Sequence, residues 1–300
     1  MTLPELSIDQ WEDTRATLHM WMQIVGKVRL ELTPHLNHWW QVPFYLTSRG
    51  LTTSPIPYQG MTFDVDFDFI DHTLLIRTSE GATRSFALRP QTVAEFYREF
   101  FATLHEIKID VTIWPVPVEI ADPIPFEQDH QHASYDPDAV QRFWWVLCFA
   151  DQVFKDFRGR FIGKNSPVHF FWGGLDLATT RFSGRSAPER EWPPSLTTIM
   201  REAYSHEVSS VGFWPGGAGQ EAAFYAYHTP EPDGYKTAAV QPSAAFYSAA
   251  LGEYLLPYSA IHRTGTPEAD LLAFLQSTYE AGATLAQWDR AALERPMNVE

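Results

Sequence analysis

Residues 202–219, EAYSHEVSSVGFWPGGAG, form the most unusual stretch of the chain. Read as a strand, they place His206, Val208, Ser210, Gly212 and Trp214 on one face, joined by Tyr204. Glu207, Ser209 and Phe213 face the other way, because side chains alternate across a sheet. An imidazole, a hydroxyl and an indole on one face make a pocket wall. Imidazole suits acid–base work because its ordinary pKa lies near neutrality, and Gly212 would let a ligand approach the backbone. The opposing reading is that His206 and Ser210 bond each other or the backbone inside a polar core. His206-Glu207 does not open an H-E-x-x-H zinc signature, since Ser210 stands where the second histidine would be.

Other constellations are less specific. His130 and His132 have the spacing that puts two imidazoles on one strand face, Asp129 is adjacent, and His169 and His206 could complete a site. Imidazole and carboxylate suit zinc or non-haem iron, but these spacings match no metal signature and the surrounding loop is acidic and polar. Asp64, Asp66 and Asp68 alternate with Phe63, Val65, Phe67 and Phe69, which reads as the wet face of a strand rather than a cation site. WPGGAG and Gly163-Lys164-Asn165-Ser166 both lack the phosphate-loop pattern, and there is neither a dinucleotide fingerprint nor a G-x-S-x-G elbow. Cys148 falls on the apolar stripe of a helix, where an inert thiol is expected. No motif names a cofactor. The 21 Phe, 12 Tyr and 11 Trp must mostly fill a core. Trp39, Trp40, Trp172 and Trp214, however, stand beside histidines or glycines and would suit a planar, sugar-like or cationic small molecule.

The elements that must position these residues follow from periodicity. Leu18, Met22, Val25, Val28 and Leu32 predict a helix over about residues 13–32, ended by Pro34. Residues 38–48 read as a strand with Pro43 at a bulge or edge. Strands follow over 63–69, 73–78 and 82–88, and then a helix with Val93, Phe96, Phe100 and Leu104 on its inner side. Four prolines within 113–125 mark a stiff linker. The second half restates the order: a helix from Pro137 through Phe161, a strand over 169–182, a Pro-rich stretch (Pro188, Pro193, Pro194), strands near 204–214, 222–228 and 244–256, and a helix over about 267–283. Short connections favour antiparallel pairing. The expectation is an α+β fold of two similar helix–antiparallel sheet–helix units, residues 1–120 and 121–300, arising by internal duplication and packed into one compact body.

Composition narrows the function. With 22 basic and 37 acidic residues the net charge is −15, which argues against nucleic acid and against an anionic membrane surface as partners. A single cysteine excludes an intramolecular disulfide framework. The first ten residues carry acids and no apolar run, and no uncharged apolar stretch reaches the roughly 18 residues of a membrane helix, so a cytoplasmic location is expected.

The runs QIVGKVRL, NHWWQVPFYLTSRGLTTSPIPY, FDFIDHTLLIRTS, IWPVPVEI, HASYDP, FIGKNSPVHFFWGGLDLATTRFSGR, AYSHEVSSVGFWPGG and FLQSTYEAGA resemble a family of bacterial proteins of similar length known only as a domain of unknown function. The resemblance covers nearly the whole chain and implies an intracellular, stand-alone protein. It carries no activity and no site residues. The residues themselves point to a small-molecule enzyme with an aromatic-lined pocket where the two units meet. His206 would be the acid–base or ligating group and His169 its partner. Trp40, Trp172 and Trp214 would be walls, beside His38, Tyr204 and Ser210, with Lys164 or Arg181 neutralising an anionic group. The alternatives are a non-catalytic small-molecule binding or sensor protein, and an interaction scaffold with an exposed apolar patch.

Overall fold

The structure, a computed structural model, describes residues 3–192 and 197–296; Pro193 and Pro194 of the Pro-rich stretch lie outside the described residues. The fold is α+β, with two antiparallel six-stranded sheets and seven helices among the described residues. The first helix, α1 (Glu12–Leu32), is buried over nearly all of its middle, including Thr17, His19, Gln23, Lys27 and Arg29. A helix closed in on every side needs partners for its polar groups, and several of these residues reach across to other segments.

The first sheet contains β1 (Tyr45–Leu46), β2 (Gly50–Thr52), β3 (Ile56–Tyr58), β4 (Met61–Asp68), β5 (Thr73–Thr78) and β6 (Thr83–Ala87), in the order β1-β2-β4-β5-β6 with β3 also on β4. The alternation in β4 is realised: Phe63, Val65 and Phe67 are buried. Arg77 of β5 bonds Asp64 and Asp66, while Asp68 accepts from Arg49 and from the amides of Ile70 and Asp71. Helix α2 (Val93–Glu106) opens with a Thr92–Glu95 capping box, which satisfies two of the amides a helix start leaves open. Its Phe96 stacks on Trp21 of α1 at 4.8 Å.

Helix α3 (Pro137–Gly159) starts on an Asp136 cap with proline in its first turn. The second sheet follows: β7 (His169–Phe171), β8 (Asp176–Ser186), then α4 (Thr197–Ala203), β9 (His206–Trp214), β10 (Ala223–Thr229), β11 (Phe246–Ser248) and β12 (Glu253–Pro257), ordered β11-β12-β10-β9-β8-β7. The chain closes with α5 (Tyr258–Ile261), α6 (Pro267–Leu285) and α7 (Arg290–Leu293). Helices α3 and α6 cover one face of this sheet, with Phe154 on Phe224 and Gly282 against the His228 ring.

Five local expectations are corrected. Residues 38–48 are mostly not a strand: Asn37–Trp39 form a 3-10 turn in which His38 and Trp39 take left-handed φ of 57° and 62°, and only Tyr45 and Leu46 pair. The stretch 169–182 is two strands, because the Gly173-Gly174 turn folds it back. Residues 244–256 likewise divide into β11 and β12. Tyr204 lies between α4 and β9 rather than on a strand, and Phe161 lies beyond the end of α3. Segment 113–125 carries neither helix nor strand.

The two sheets meet edge to edge. Phe44 and Phe170 exchange backbone bonds of 2.8 and 2.9 Å, pairing edges that would otherwise be left open. Beside this bridge Trp172 donates its indole N–H to the Val42 carbonyl at 2.9 Å and lies flat on Gly26 of α1. A Cβ at residue 26 would overlap the indole. Gly26→Ala is therefore expected to destabilise the protein by about 1–3 kcal/mol, the usual cost of overpacking a filled core. Urea unfolding measures this, and an unchanged midpoint would contradict the packing described.

Candidate functional site

The face of the second sheet turned away from α3 and α6 is polar. Register places His169 (β7), Ala178 (β8), Gly212 (β9), Tyr225 (β10) and Leu255 (β12) in one cross-strand row, and Thr180, Ser210 and Tyr227 in the next. Ser210, Gly212, Trp214 and His206 thus share the face that their alternation in β9 predicts.

Gly212 has a different role from the one its position suggests. A Cβ there would overlap the phenol of Tyr225. The missing side chain lets Tyr225 lie across β9 from β10 and donate its hydroxyl to Asp176 Oδ2, on β8. Beside it Tyr227 and Tyr204 share a hydroxyl bond of 3.0 Å, and Ser210 and Thr180 one of 2.9 Å. Trp192 stacks on Tyr204 at 5.1 Å.

Carboxyl groups crowd the Asp176 end. A Cβ on Gly174 would lie 3.1 Å from Asp176 Oδ1 and 3.2 Å from Glu119 Oε2, so both carboxyls close in on the same side of a glycine and leave little room for a side chain. Glu119 sits in the segment that reads as a linker, and its φ is 57°. Non-glycine residues hold such a backbone only where their surroundings impose it. Here Gln23 of α1 grips both backbone groups of the preceding Val118, at 2.8 Å each, while His19 contacts the Gly173 carbonyl at 2.8 Å. Burial, reinforced by the negative charge of Glu119, pushes Asp176 up to about 7 despite the Tyr225 bond. Glu253, at the start of β12, is also pushed up to about 7 by burial and then by Asp176.

The other end of the face holds a cationic group. His38 donates from Nδ1 to the Glu202 carbonyl at 3.1 Å and accepts at Nε2 from Lys164 Nζ at 2.8 Å. Lys164 lies over the rings of Trp40 (5.4 Å) and Phe182 (4.9 Å), and the His38 and His206 rings are 5.8 Å apart. Burial, then the charge of Lys164, lowers the His38 pKa.

The sequence-derived residues therefore divide. His38, Trp40, Lys164 and His206 meet at one end, while Tyr204, Ser210 and Trp214 lie on the same face further along. His169 is separated from His206 by Trp40 and His38: its ring is 5.9 Å from Trp40 and is 1% exposed, with neither nitrogen bonded. Trp172 belongs to the junction described above. Arg181 points to the helix side, bonded to the Phe157 carbonyl and stacked 3.4 Å over the Phe157 ring. Asp129 binds His132 and the amides of Gln131 and His132. Among the described residues no group of three or more His, Cys, Asp or Glu could hold a metal ion. Cys148 is half-buried, and burial raises its thiol to about 11. Two cavities, of about 390 Å³ beside Arg89 and Arg98 and about 240 Å³ beside His228 and Trp288, lie away from the expected inter-unit pocket.

Asp176, Glu119, Tyr225, Tyr227 and Glu253 were missed from the sequence. The one available signal was the Tyr225-x-Tyr227 spacing on a predicted strand; the carboxyls come from three distant segments with no shared motif.

The chain belongs to DUF5996, a family of unknown function, whose match spans residues 3–295. No curated protein and no solved structure matches it. No helix among the described residues is long and apolar enough to cross a membrane.

The shifted groups give opposite pH slopes. Asp176 and Glu253 have folded pKa values raised from 3.8 and 4.5, so the stability of their protonated forms is complete below pH 3.8 and is lost as pH rises through about 7. His19, lowered to about 4, and His169 and His228, lowered to about 3, contribute above 6.5 and lose that contribution as pH falls towards those values. Unfolding measured across this range should show Asp176→Asn removing part of the decline towards pH 7. A variant curve parallel to the wild type would refute the raised value.

Proposed function

We propose that the protein is a small-molecule enzyme working by general acid–base catalysis on the polar face of the second sheet, with the Asp176–Glu119 pair moving the protons. The observation that carries this reading is the convergence of their carboxyl oxygens on one side of Gly174. Like charges this close disfavour double ionisation, so one carboxyl keeps a proton near neutrality. Tyr225 occupies Asp176 Oδ2, which leaves Oδ1 to give a proton to a substrate atom lying over Gly174, within reach of both carboxyls. Glu119 takes a proton from the substrate in the same turnover, so the pair ends with the number of protons it began with. Carboxyls and phenols on this face, with the Trp192 ring stacked on Tyr204 beside them, favour a neutral polyhydroxylated or an amine-bearing substrate over an anion.

His206 stands at the cationic end, its Nδ1 3.0 Å from Ser205 Oγ. It is assigned to binding, together with His38, Lys164 and Trp40. Metal-assisted chemistry has less support, because the histidines are dispersed.

The test is to incubate purified protein with a desalted small-metabolite extract and follow masses consumed and formed. Wild type should consume at least one neutral or cationic species, and Asp176→Asn should lower the rate on the order of 10²–10⁴-fold. Gly174→Ala, which sets a methyl group against both carboxyls, should inactivate the protein with little change in melting temperature. Equal turnover by Asp176→Asn and wild type would overturn the assignment. Tight ligand retention with no turnover by any form would favour the binding-protein alternative.

A further inference from the structure

We infer that the junction of the two sheets is a second, buried ligand site, which takes a small oxyanion (a carboxylate or phosphate group) between Arg29 and His169. This does not rest on the acid–base reading, since the residues differ and the favoured charge is opposite.

Arg29 comes from α1 and is only 5% exposed, yet it has no carboxylate partner among the described residues and its Nε is unbonded. Its one bond from Nη1 goes to the Thr53 carbonyl. His169 is more deeply buried, and both of its ring nitrogens are unpartnered. Arg158 gives its Nε to the Ser166 carbonyl at 2.6 Å and likewise forms no ion pair among the described residues. The Tyr45 ring lies 5.5 Å from His169, and Tyr45 pairs with Thr52, next to the Thr53 carbonyl that Arg29 bonds, so Arg29 and His169 flank Tyr45 beside the Phe44–Phe170 bridge. The fields of Arg29 and Arg158 both reach His169 and, after burial, keep its ring neutral.

An unpaired buried guanidinium is costly, and one beside an unsatisfied buried imidazole is unexpected in a chain of net charge −15. Arg181 shows the contrast. It is equally buried, but its guanidinium lies over the rings of Phe157 and Tyr279, at 3.4 and 4.3 Å, and bonds a carbonyl. No such ring lies under Arg29 among the described residues. An oxyanion would take the Arg29 Nε–H and the imidazole N–H while neutralising the guanidinium. Its entry would require local opening at the junction.

The experiment is thermal unfolding of the full chain after exhaustive dialysis, titrated separately with inorganic phosphate and with acetate at constant ionic strength. Wild type should show a saturable rise in melting temperature with at least one of them, and the more effective anion identifies the group. Arg29→Met should show no rise, and without added anion it should melt no lower than wild type, because the unpaired charge has gone. If Arg29→Met fails to fold, His169→Phe supplies the comparison and should show a weakened rise. A wild type indifferent to both anions, or a variant with an undiminished rise, would overturn the site.

Discussion

The backbone bridge between Phe44 and Phe170 is the contact on which the remaining geometry depends. Each residue lies at the edge of its own sheet, and an edge strand presents a row of unsatisfied donors and acceptors. By pairing, the two edges satisfy each other, and the first half of the chain is fixed against the second at a defined register. Trp172 then fits over Gly26, and His169 comes under Trp40 and beside Tyr45. Without the bridge, none of these side chains would have a reason to meet.

A second consequence runs through α1. A helix enclosed on all sides cannot leave its polar groups idle, and His19 and Gln23 use theirs on the Gly173 carbonyl and on both backbone groups of Val118. This sets the height of Glu119 above Asp176. Three segments distant in sequence are thereby held to within hydrogen-bond distances, and the supporting residues lie on a helix rather than on a mobile loop, which favours precision. The carboxyl pair and the cationic layer at the junction carry opposite charge, and α1 supplies support to the first and Arg29 to the second.

Glycine does much of the positioning by being absent as a side chain. Gly212 gives Tyr225 its path across β9, Gly174 lets two carboxyls close in on its side, and Gly26 seats an indole. The sequence pattern marked Gly212 as a place of close approach, but the approaching group is this chain's own tyrosine rather than a ligand.

Much of the architecture was legible in the sequence because it is local. Period two in β4, the apolar spacing of α2, α3 and α6, and short connections suffice to predict an α+β chain with antiparallel sheets. The alternation in β9 likewise placed His206, Ser210, Gly212 and Trp214 on one face. Periodicity misread residues 38–48, where left-handed backbone at His38 and Trp39 breaks a run of strand-forming side chains, and it did not see the turn at Gly173-Gly174. Only the tertiary structure decided which polar groups converge. The reason is physical: Asp176, Glu119 and Glu253 are unremarkable one at a time, and their shared environment arises only once sheet register and α1 bring them together.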